Sequence, residues 1–176
     1  MEITNAQTAV ISEDRSDLEA IFTAHYRRVA RTIALTIGDR GRAEELAVEV
    51  FLRWSQNQSA KGLKPEGWLY RAAANLAVDE LRRRARRSKF DQLFGRIPRP
   101  ATPEEIHYLN QERDRVRVIL GRLQPRQAEL LVLRTQGFSY EELAAALDLN
   151  PASVGTLLSR AQQTFRKEYI AKYGPQ

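Results

Sequence analysis

Apolar residues recur at steps of three and four along most of this chain, and that spacing constrains its fold more than any other feature. The first stripe consists of Leu18, Phe22, Tyr26, Val29, Ile33 and Ile37. The second consists of Ala43, Leu46, Ala47, Val50, Phe51 and Trp54. Such steps place side chains on one face of an α-helix, and the sequence holds no strand-like alternation of useful length. The sequence therefore predicts an all-α fold.

Breaks in the helical pattern divide the chain into two small helical domains joined by a flexible linker. Two glycines within 38–41 end the first helix, and the polar segment 56–67 precedes a third helix that starts at Trp68. Residues 89–102 contain a glycine and two prolines and keep no helical period. We therefore expect a flexible N-terminus at 1–17, a helical domain at 18–88, a linker at 89–102 and a second helical domain at 103–176. A capping pattern at 102–105 marks the start of the second domain.

The second domain carries the signature of a helix-turn-helix. Ser139 and Glu142 have the spacing of a capping box at the start of a short helix. Residues 148–150 then form a turn, with Asn150 as the helix cap and Pro151 at the first position of a longer helix. A short helix, a tight turn and a long helix are the elements of the DNA-binding motif whose second helix enters the major groove.

Polar side chains line the face of the long helix that lies opposite its apolar stripe. They are Ser153, Thr156, Ser159, Arg160, Gln163, Arg166 and Lys167. Hydroxyl, amide and guanidinium groups bond base edges and phosphates, and the N-terminal part of such a helix meets the bases. We therefore expect Ser153, Thr156 and Arg160 to read bases, and Arg166 and Lys167 to hold phosphate. The alternative is an ordinary solvated helix face.

The positive charge of the chain is concentrated in one segment. The whole chain has a net charge of +6, and residues 82–99 alone hold eight basic side chains against one acidic. Five of the eight are Arg82, Arg83, Arg84, Arg86 and Arg87, which follow directly on the third helix. Such a density of like charge attracts anions. The segment is either a solvated linker or a strip that binds nucleic-acid phosphates.

Several classes of protein are disfavoured by what the sequence lacks. It contains no cysteine, which removes disulfides, thiolate nucleophiles and cysteine-based zinc sites. Its two histidines are isolated, and no catalytic or phosphate-cradling motif is present. The first sixteen residues have neither a basic nor an apolar targeting segment. We therefore expect a cytoplasmic protein that is not an enzyme, uses no cofactor or metal, and does not insert into membranes.

Three segments together resemble the RNA polymerase sigma factors of the extracytoplasmic-function (ECF) type. They are AEELAVEVFLRW at 43–54, WLYRAAANLAVDELRRR at 68–84 and GFSYEELAAALDLNPASVGTLLSRA at 137–161. The resemblance implies a bacterial protein that binds the clamp helices and the flap of core RNA polymerase, recognises the minus-thirty-five and minus-ten promoter elements and helps to melt the DNA. It also implies control by an anti-sigma factor. The alternative is a stand-alone helix-turn-helix regulator that binds duplex DNA without polymerase.

The same resemblance assigns roles to residues of the first domain. The helix with Glu45, Glu49, Leu52 and Arg53 corresponds to the one that binds the polymerase clamp. Promoter melting is assigned to Trp68, Tyr70, Asn75, Arg82, Arg83, Arg84, Arg86 and Arg87. Alternatives remain for three positions of that helix: Trp68 could anchor the core, Asn75 could satisfy a neighbouring backbone group, and Asp79 is better explained by pairing with a nearby arginine.

Overall fold

A computed structural model describes residues 3–57, 65–93 and 104–175, with side chains described for 18–57, 65–90 and 111–175. These residues form helices only, so the predicted all-α fold is confirmed. The helices are α1 (Ile3–Ile37), α2 (Arg40–Gln56), α3 (Pro65–Leu93), α4 (Glu104–Arg122), α5 (Pro125–Thr135), α6 (Tyr140–Leu147) and α7 (Pro151–Tyr173). No helix in the described ranges combines the length and the apolar character needed to cross a membrane.

Two helices extend further than the sequence predicts. Helix α1 begins at Ile3, within the segment 1–17 that was expected to be a flexible N-terminus, and the flexibility of that segment stays a prediction. Helix α3 runs from Pro65 to Leu93, so it takes in the end of the predicted loop and the first residues of the predicted linker. The extension of α1 contains no glycine or proline, and in the extension of α3 Pro65 occupies a permitted first position while Gly67 lies in the first turn. The next glycine, Gly95, comes after the end of the helix. The remaining loop residues 58–64, the remaining linker residues 94–102 and the cap expected at Thr102 lie outside the described residues.

Helices α1, α2 and α3 form the N-terminal unit around the two predicted apolar stripes. Of the stripe predicted on α1, Val29, Ile33 and Ile37 are buried, Leu18 and Tyr26 are half-buried, and Phe22 is exposed. From α2 the buried residues are Ala43, Leu46, Ala47, Val50, Phe51 and Trp54, which is the whole predicted stripe. Helix α3 closes this core with Leu69, Ala73, Ala77 and Leu81 among its buried side chains. The periodicity of the sequence thus identified the core-facing side of α2, and that of α1 over its C-terminal half.

One buried carboxylate joins the three helices of this unit. Glu80 of α3 is only 7% exposed, and it accepts hydrogen bonds from Arg42 of α2 and from Arg84. Arg84 also donates to the carbonyl of Ile37 at the end of α1 (3.0 Å) and to Asp39. Burial alone would raise the pKa of Glu80, but the arginine hydrogen bonds and charges outweigh burial and lower it. The network therefore fixes the α1–α2 turn against α3.

The C-terminal unit, helices α4 to α7, contains the predicted helix-turn-helix. The Ser139 hydroxyl accepts from the Glu142 amide (3.1 Å), and the Glu142 carboxylate accepts from the Ser139 amide (2.7 Å), which confirms the capping box. Asp148 turns the chain in the left-handed region, with φ 52°. The Asn150 side chain then accepts from the Ala152 amide (3.0 Å) and starts α7. Val154, Leu158 and Ala161 are buried on the inner face of α7.

The two units pack on each other and share one apolar core, which the sequence did not predict. The buried cluster runs continuously from Val29 of α1 to Leu158 of α7. Helix α3 is central to it, because it packs against every helix from α1 to α6. At its start, a Cβ atom on Gly67 would lie 3.3 Å from the Ala146 Cα of α6. A larger residue at this position would require the two backbones to move apart by a few tenths of an ångström.

We predict that Glu80→Gln lowers the free energy of unfolding at pH 7 by about 1 to 3 kcal/mol, because it removes charge-assisted hydrogen bonds from a buried site. The folded-state pKa of Glu80 lies below its ordinary value of 4.5. The stabilisation is therefore complete above that value and is lost as the pH falls through the folded-state pKa. Urea denaturation between pH 3 and pH 7 measures the difference from the parent protein, and a difference independent of pH would contradict the assignment. Glu44→Gln, on the exposed side of α2, is the matched control.

Candidate nucleic-acid and polymerase interfaces

The polar face of α7 is open to solvent along its whole length. All seven residues predicted to contact duplex DNA are exposed. They are Ser153, Thr156, Ser159, Arg160, Gln163, Arg166 and Lys167. The face begins at Ser153, one turn after the cap at Asn150, so its N-terminal end lies next to the turn between the two helices of the motif. We call these seven residues the α7 polar face, and their contacts with DNA stay a prediction.

A second exposed surface lies on α2 and combines acidic and apolar groups. Glu45, Leu52 and Arg53 are exposed, and Glu49 is half-buried. Arg53 donates to the Glu49 carboxylate at 2.6 Å, and Glu45 accepts from Arg42 at 2.6 Å. Leu52 is 54% exposed, although the helix buries most of its other apolar residues. We call Glu45, Glu49, Leu52 and Arg53 the α2 face.

Val48 belongs beside the α2 face although the sequence analysis did not select it. It is 43% exposed and lies one helical turn before Leu52. The sequence did carry a signal, because Val48 falls outside the buried stripe of α2. An apolar residue outside such a stripe marks either a chance exposure or a contact surface, and a neighbouring exposed leucine favours the contact surface.

The aromatic residues near the start of α3 are in the protein interior. Tyr70 is only 4% exposed, and its hydroxyl lies 3.1 Å from Nδ1 of His25. Burial raises the pKa of the Tyr70 hydroxyl. Trp68 is half-buried and packs against the core, and Asn75 is also half-buried. Trp68 and Tyr70 therefore contribute to the core in this arrangement, while their contacts with DNA stay a prediction.

The arginines at the end of α3 divide into two groups. Arg82 and Arg84 are held by hydrogen bonds within the protein. Arg83, Arg86 and Arg87 are exposed, and Arg83 pairs with Glu80 at 3.4 Å. All five lie on the helix itself, so the first part of the basic segment is a helix surface rather than a solvated linker. Asp79 pairs with Arg82 at 3.2 Å, which confirms its predicted structural role.

Two further residues contact Tyr70 and could not be found from the sequence. Phe138 of the C-terminal unit meets the Tyr70 ring edge to face, with ring centroids 5.0 Å apart. The Arg28 guanidinium lies over both rings, at 4.9 Å from the Tyr70 centroid and 4.4 Å from that of Phe138. No spacing in the sequence links these positions, because they come from α1, α3 and the connection between α5 and α6, which are distant along the chain.

Both halves of the chain match models of known sigma-factor regions. Residues 21–87 match the family described as Sigma-70 region 2. Residues 113–164 match the family described as Sigma-70, region 4. The first match contains the α2 face and most of α3, and the second contains the helix-turn-helix. The two regions therefore occur in one chain, in the order given by the sequence resemblance.

Two proteins that are similar to this chain over most of its length are named as RNA polymerase sigma factors. The chain is 30% identical to the "ECF RNA polymerase sigma factor SigE" of Mycolicibacterium smegmatis, over 98% of this chain and 66% of that protein. It is 29% identical to the "Probable RNA polymerase sigma factor RfaY" of Xanthomonas campestris pv. campestris, over 80% of this chain and 38% of that protein. The chain thus spans less than two thirds of the length of these relatives.

A solved structure has the same overall fold. The sigma factor RpoE from Bartonella quintana, solved in complex with the anti-sigma factor NepR, superposes with a TM-score of 0.50 and 18% identity. The match covers 90% of this chain and 99% of that one. At this identity the match supports the fold alone. The two region matches and the similarity to SigE show that the chain belongs to the sigma-70 family of RNA polymerase sigma factors, as a member of the ECF type.

Proposed function

We propose that this chain is a promoter-recognising sigma factor that directs core RNA polymerase to start transcription. In this role the α2 face binds the clamp helices of the polymerase, and the C-terminal unit contacts the flap. The α7 polar face reads the minus-thirty-five element in the major groove. Helix α3, through Trp68, Tyr70, Asn75 and the arginines that follow, engages the minus-ten element as the strands separate.

The observation that carries the proposal is the pairing of the two sigma regions in one chain, each with an exposed surface of suitable chemistry. The second region offers hydroxyl, amide and guanidinium groups on a helix that follows a capped turn. Those groups suit base edges and phosphates. The first region offers an exposed leucine among charged residues, which suits a protein partner better than DNA.

The distribution of charge favours a role in which core polymerase supplies part of the affinity for promoter DNA. The α7 polar face holds only three cations, Arg160, Arg166 and Lys167, so it neutralises few phosphates. Phosphate contacts supply much of the affinity of a DNA-binding protein. Specific binding by the chain alone is therefore expected to be weak, and core polymerase supplies the remaining contacts. This expectation favours the sigma-factor role over the stand-alone regulator.

The proposal extends to the place of action and to a regulator. A protein that assembles with RNA polymerase on DNA works in the bacterial cytoplasm, and it acts by binding rather than by catalysis. The exposed apolar groups Val48 and Leu52 would have to be covered whenever the chain is kept from polymerase. An anti-sigma factor that occupies the α2 face would do so.

Transcription with purified components tests the function directly. The full chain is added to core RNA polymerase and a pooled library of promoter-length DNA, and the transcripts are sequenced. We expect transcripts that start at fixed positions downstream of a shared pair of sequence elements, and only when both proteins are present. Tight binding of the chain alone to duplex DNA, with no effect on initiation, would establish the stand-alone regulator instead.

We predict that Leu52→Glu weakens binding to core polymerase by roughly tenfold to hundredfold, since it replaces an apolar contact with a desolvated charge. Leu35→Glu is the matched control, because Leu35 of α1 is 56% exposed and lies outside the α2 face. Biolayer interferometry with immobilised core enzyme measures both variants. Equal losses for the two variants would remove the α2 face from the polymerase interface.

We predict that Thr156→Ala and Arg160→Ala each lower promoter use by roughly tenfold to hundredfold at particular upstream base pairs, as expected for lost base contacts. Gln162→Ala, on the same helix but outside the α7 polar face, serves as the control. Initiation is measured on templates with every substitution in the upstream element. A uniform loss on all templates would assign Thr156 and Arg160 to phosphate contact rather than to base reading.

A further inference from the structure

Helix α3 continues beyond the protein core at its C-terminal end. Among the side chains described on this helix, Leu81 is the last that is buried, and residues 85–90 are all exposed. The helix itself continues to Leu93. Most helices in proteins owe their stability to the packing of an apolar face, whereas residues 85–90 contribute no buried side chain. The side chains of this end are therefore accessible to a binding partner.

Four residues near this end lie on one face of α3. Arg83, Arg86, Arg87 and Phe90 follow one another at steps of three and four, and all four are exposed. Side chains at this spacing are neighbours on a helix, and the four together extend over about 10 Å of its length. We call these four residues the α3 end face. A strand with the phosphate spacing of B-DNA passes about three phosphates over this distance.

The guanidinium groups of the α3 end face are accessible to an anion. Arg83 lies 3.4 Å from the Glu80 carboxylate, which also accepts hydrogen bonds from two other arginines. Arg86 and Arg87 form no ion pair with any residue whose side chain is described. The partial negative charge at the C-terminal end of a helix favours cations there. This effect explains a preference for arginine, but not an exposed aromatic ring among the arginines.

Phe90 supplies that aromatic ring. It is 59% exposed, and it is the one large apolar side chain exposed among residues 83–90. The aromatic residues at the start of the helix differ from it, because Tyr70 is 4% exposed and Trp68 is half-buried against the core. Phe90 also follows residue 87, where the match to Sigma-70 region 2 ends. Its function is therefore not given by that match.

The combination of cations and an aromatic ring suits a single strand of nucleic acid better than a duplex or a membrane. In a single strand the phosphates pair with guanidinium groups, and an unpaired base can stack on the ring. A duplex offers its phosphates, but its bases are stacked on each other and do not present a face to Phe90. A helix that lies on a membrane needs an apolar face several residues wide, and the α3 end face has one apolar residue.

We propose that the α3 end face binds the unpaired strand of opened promoter DNA, with Phe90 stacked on a base and the three arginines on the flanking phosphates. This inference rests on the proposed function, in which α3 engages the minus-ten element. It adds a stacking residue about 30 Å along the helix from Tyr70. The base that Phe90 holds therefore differs from any base held at the start of α3.

Two substitutions at Phe90 separate stacking from ordinary apolar contact. Phe90→Leu keeps an apolar side chain of similar size without a π-face, and Phe90→Trp keeps the π-face. Fluorescence anisotropy measures binding of the full chain to a fluorescein-labelled single-stranded DNA of mixed sequence and to the same sequence as a duplex. We expect Phe90→Leu to weaken binding of the single strand by roughly fivefold to hundredfold, and Phe90→Trp to bind as tightly as the parent protein. Neither substitution is expected to change binding of the duplex.

The salt dependence of the same binding tests the arginines. A cation that contacts a phosphate of a single strand contributes about 0.7 to the slope of log K against log salt concentration. We expect Arg86→Gln and Arg87→Gln each to lower the slope by about that amount, and Phe90→Leu to leave it unchanged. Arg31→Gln removes the same charge from an exposed position on α1 and is the matched control, with no change of slope expected.

The outcomes distinguish this inference from the function on which it rests. No binding of single-stranded DNA by the parent protein, or equal binding by Phe90→Leu and the parent, would overturn the inference. It would also be wrong if Phe90→Leu and Arg86→Gln lost binding to equimolar vesicles of phosphatidylglycerol and phosphatidylcholine while their single-strand binding stayed unchanged, because the face would then contact a membrane.

Initiation with core polymerase is measured on the same variants. Weaker single-strand binding by Phe90→Leu, without initiation by the parent protein, would support the inference and reject the sigma-factor role. Initiation by the parent, with equal single-strand binding and equal initiation by Phe90→Leu, would support that role and overturn the inference. Circular dichroism establishes that each variant is folded, as expected for substitutions of exposed residues.

Discussion

The structure depends on the burial of α3 on two sides. One side of this helix completes the N-terminal core with Leu69, Ala73 and Ala77, and another lies against the C-terminal unit, where Tyr70 meets Phe138. Burial of apolar area is the main source of stability for units of this size, and each unit alone has a thin core. Sharing α3 enlarges the buried cluster, but it also commits the helix proposed to contact opened DNA.

Electrostatics determines which arginines of α3 are paired inside the protein and which are exposed to solvent. The arginines of α3 face either buried acceptors or solvent: Arg84 holds Glu80 and the end of α1, and Arg82 caps α4. Arg86 and Arg87 extend into solvent. A guanidinium can bind a carbonyl, a carboxylate or a phosphate through its N–H donors. Part of the positive charge of α3 is therefore used inside the protein, and Arg86 and Arg87 are exposed where phosphates could reach them.

The sequence predicted the helices and the solvent-facing sides of α2 and α7, because helical periodicity and capping are local properties. The buried residues of α2 and the Ser139–Glu142 capping box agree with the structure. The sequence did not predict the contacts of Tyr70 or Arg82, since their partners Phe138 and Leu123 lie far along the chain. The start of α1 at Ile3 was also not predicted. Residues 3–17 contain no glycine or proline, so they can continue the helix although they carry no apolar stripe that would indicate it.

The central claim is that the two units act on one promoter together with core polymerase, and a map of the protected and unpaired bases tests it most directly. DNase I protection and permanganate reactivity are recorded on one promoter template with the chain alone, with core polymerase alone and with both proteins. The account predicts protection of an upstream element and reactive, unpaired thymines near the start site only when both proteins are present. Upstream protection by the chain alone, with no reactive thymines after polymerase is added, would contradict it.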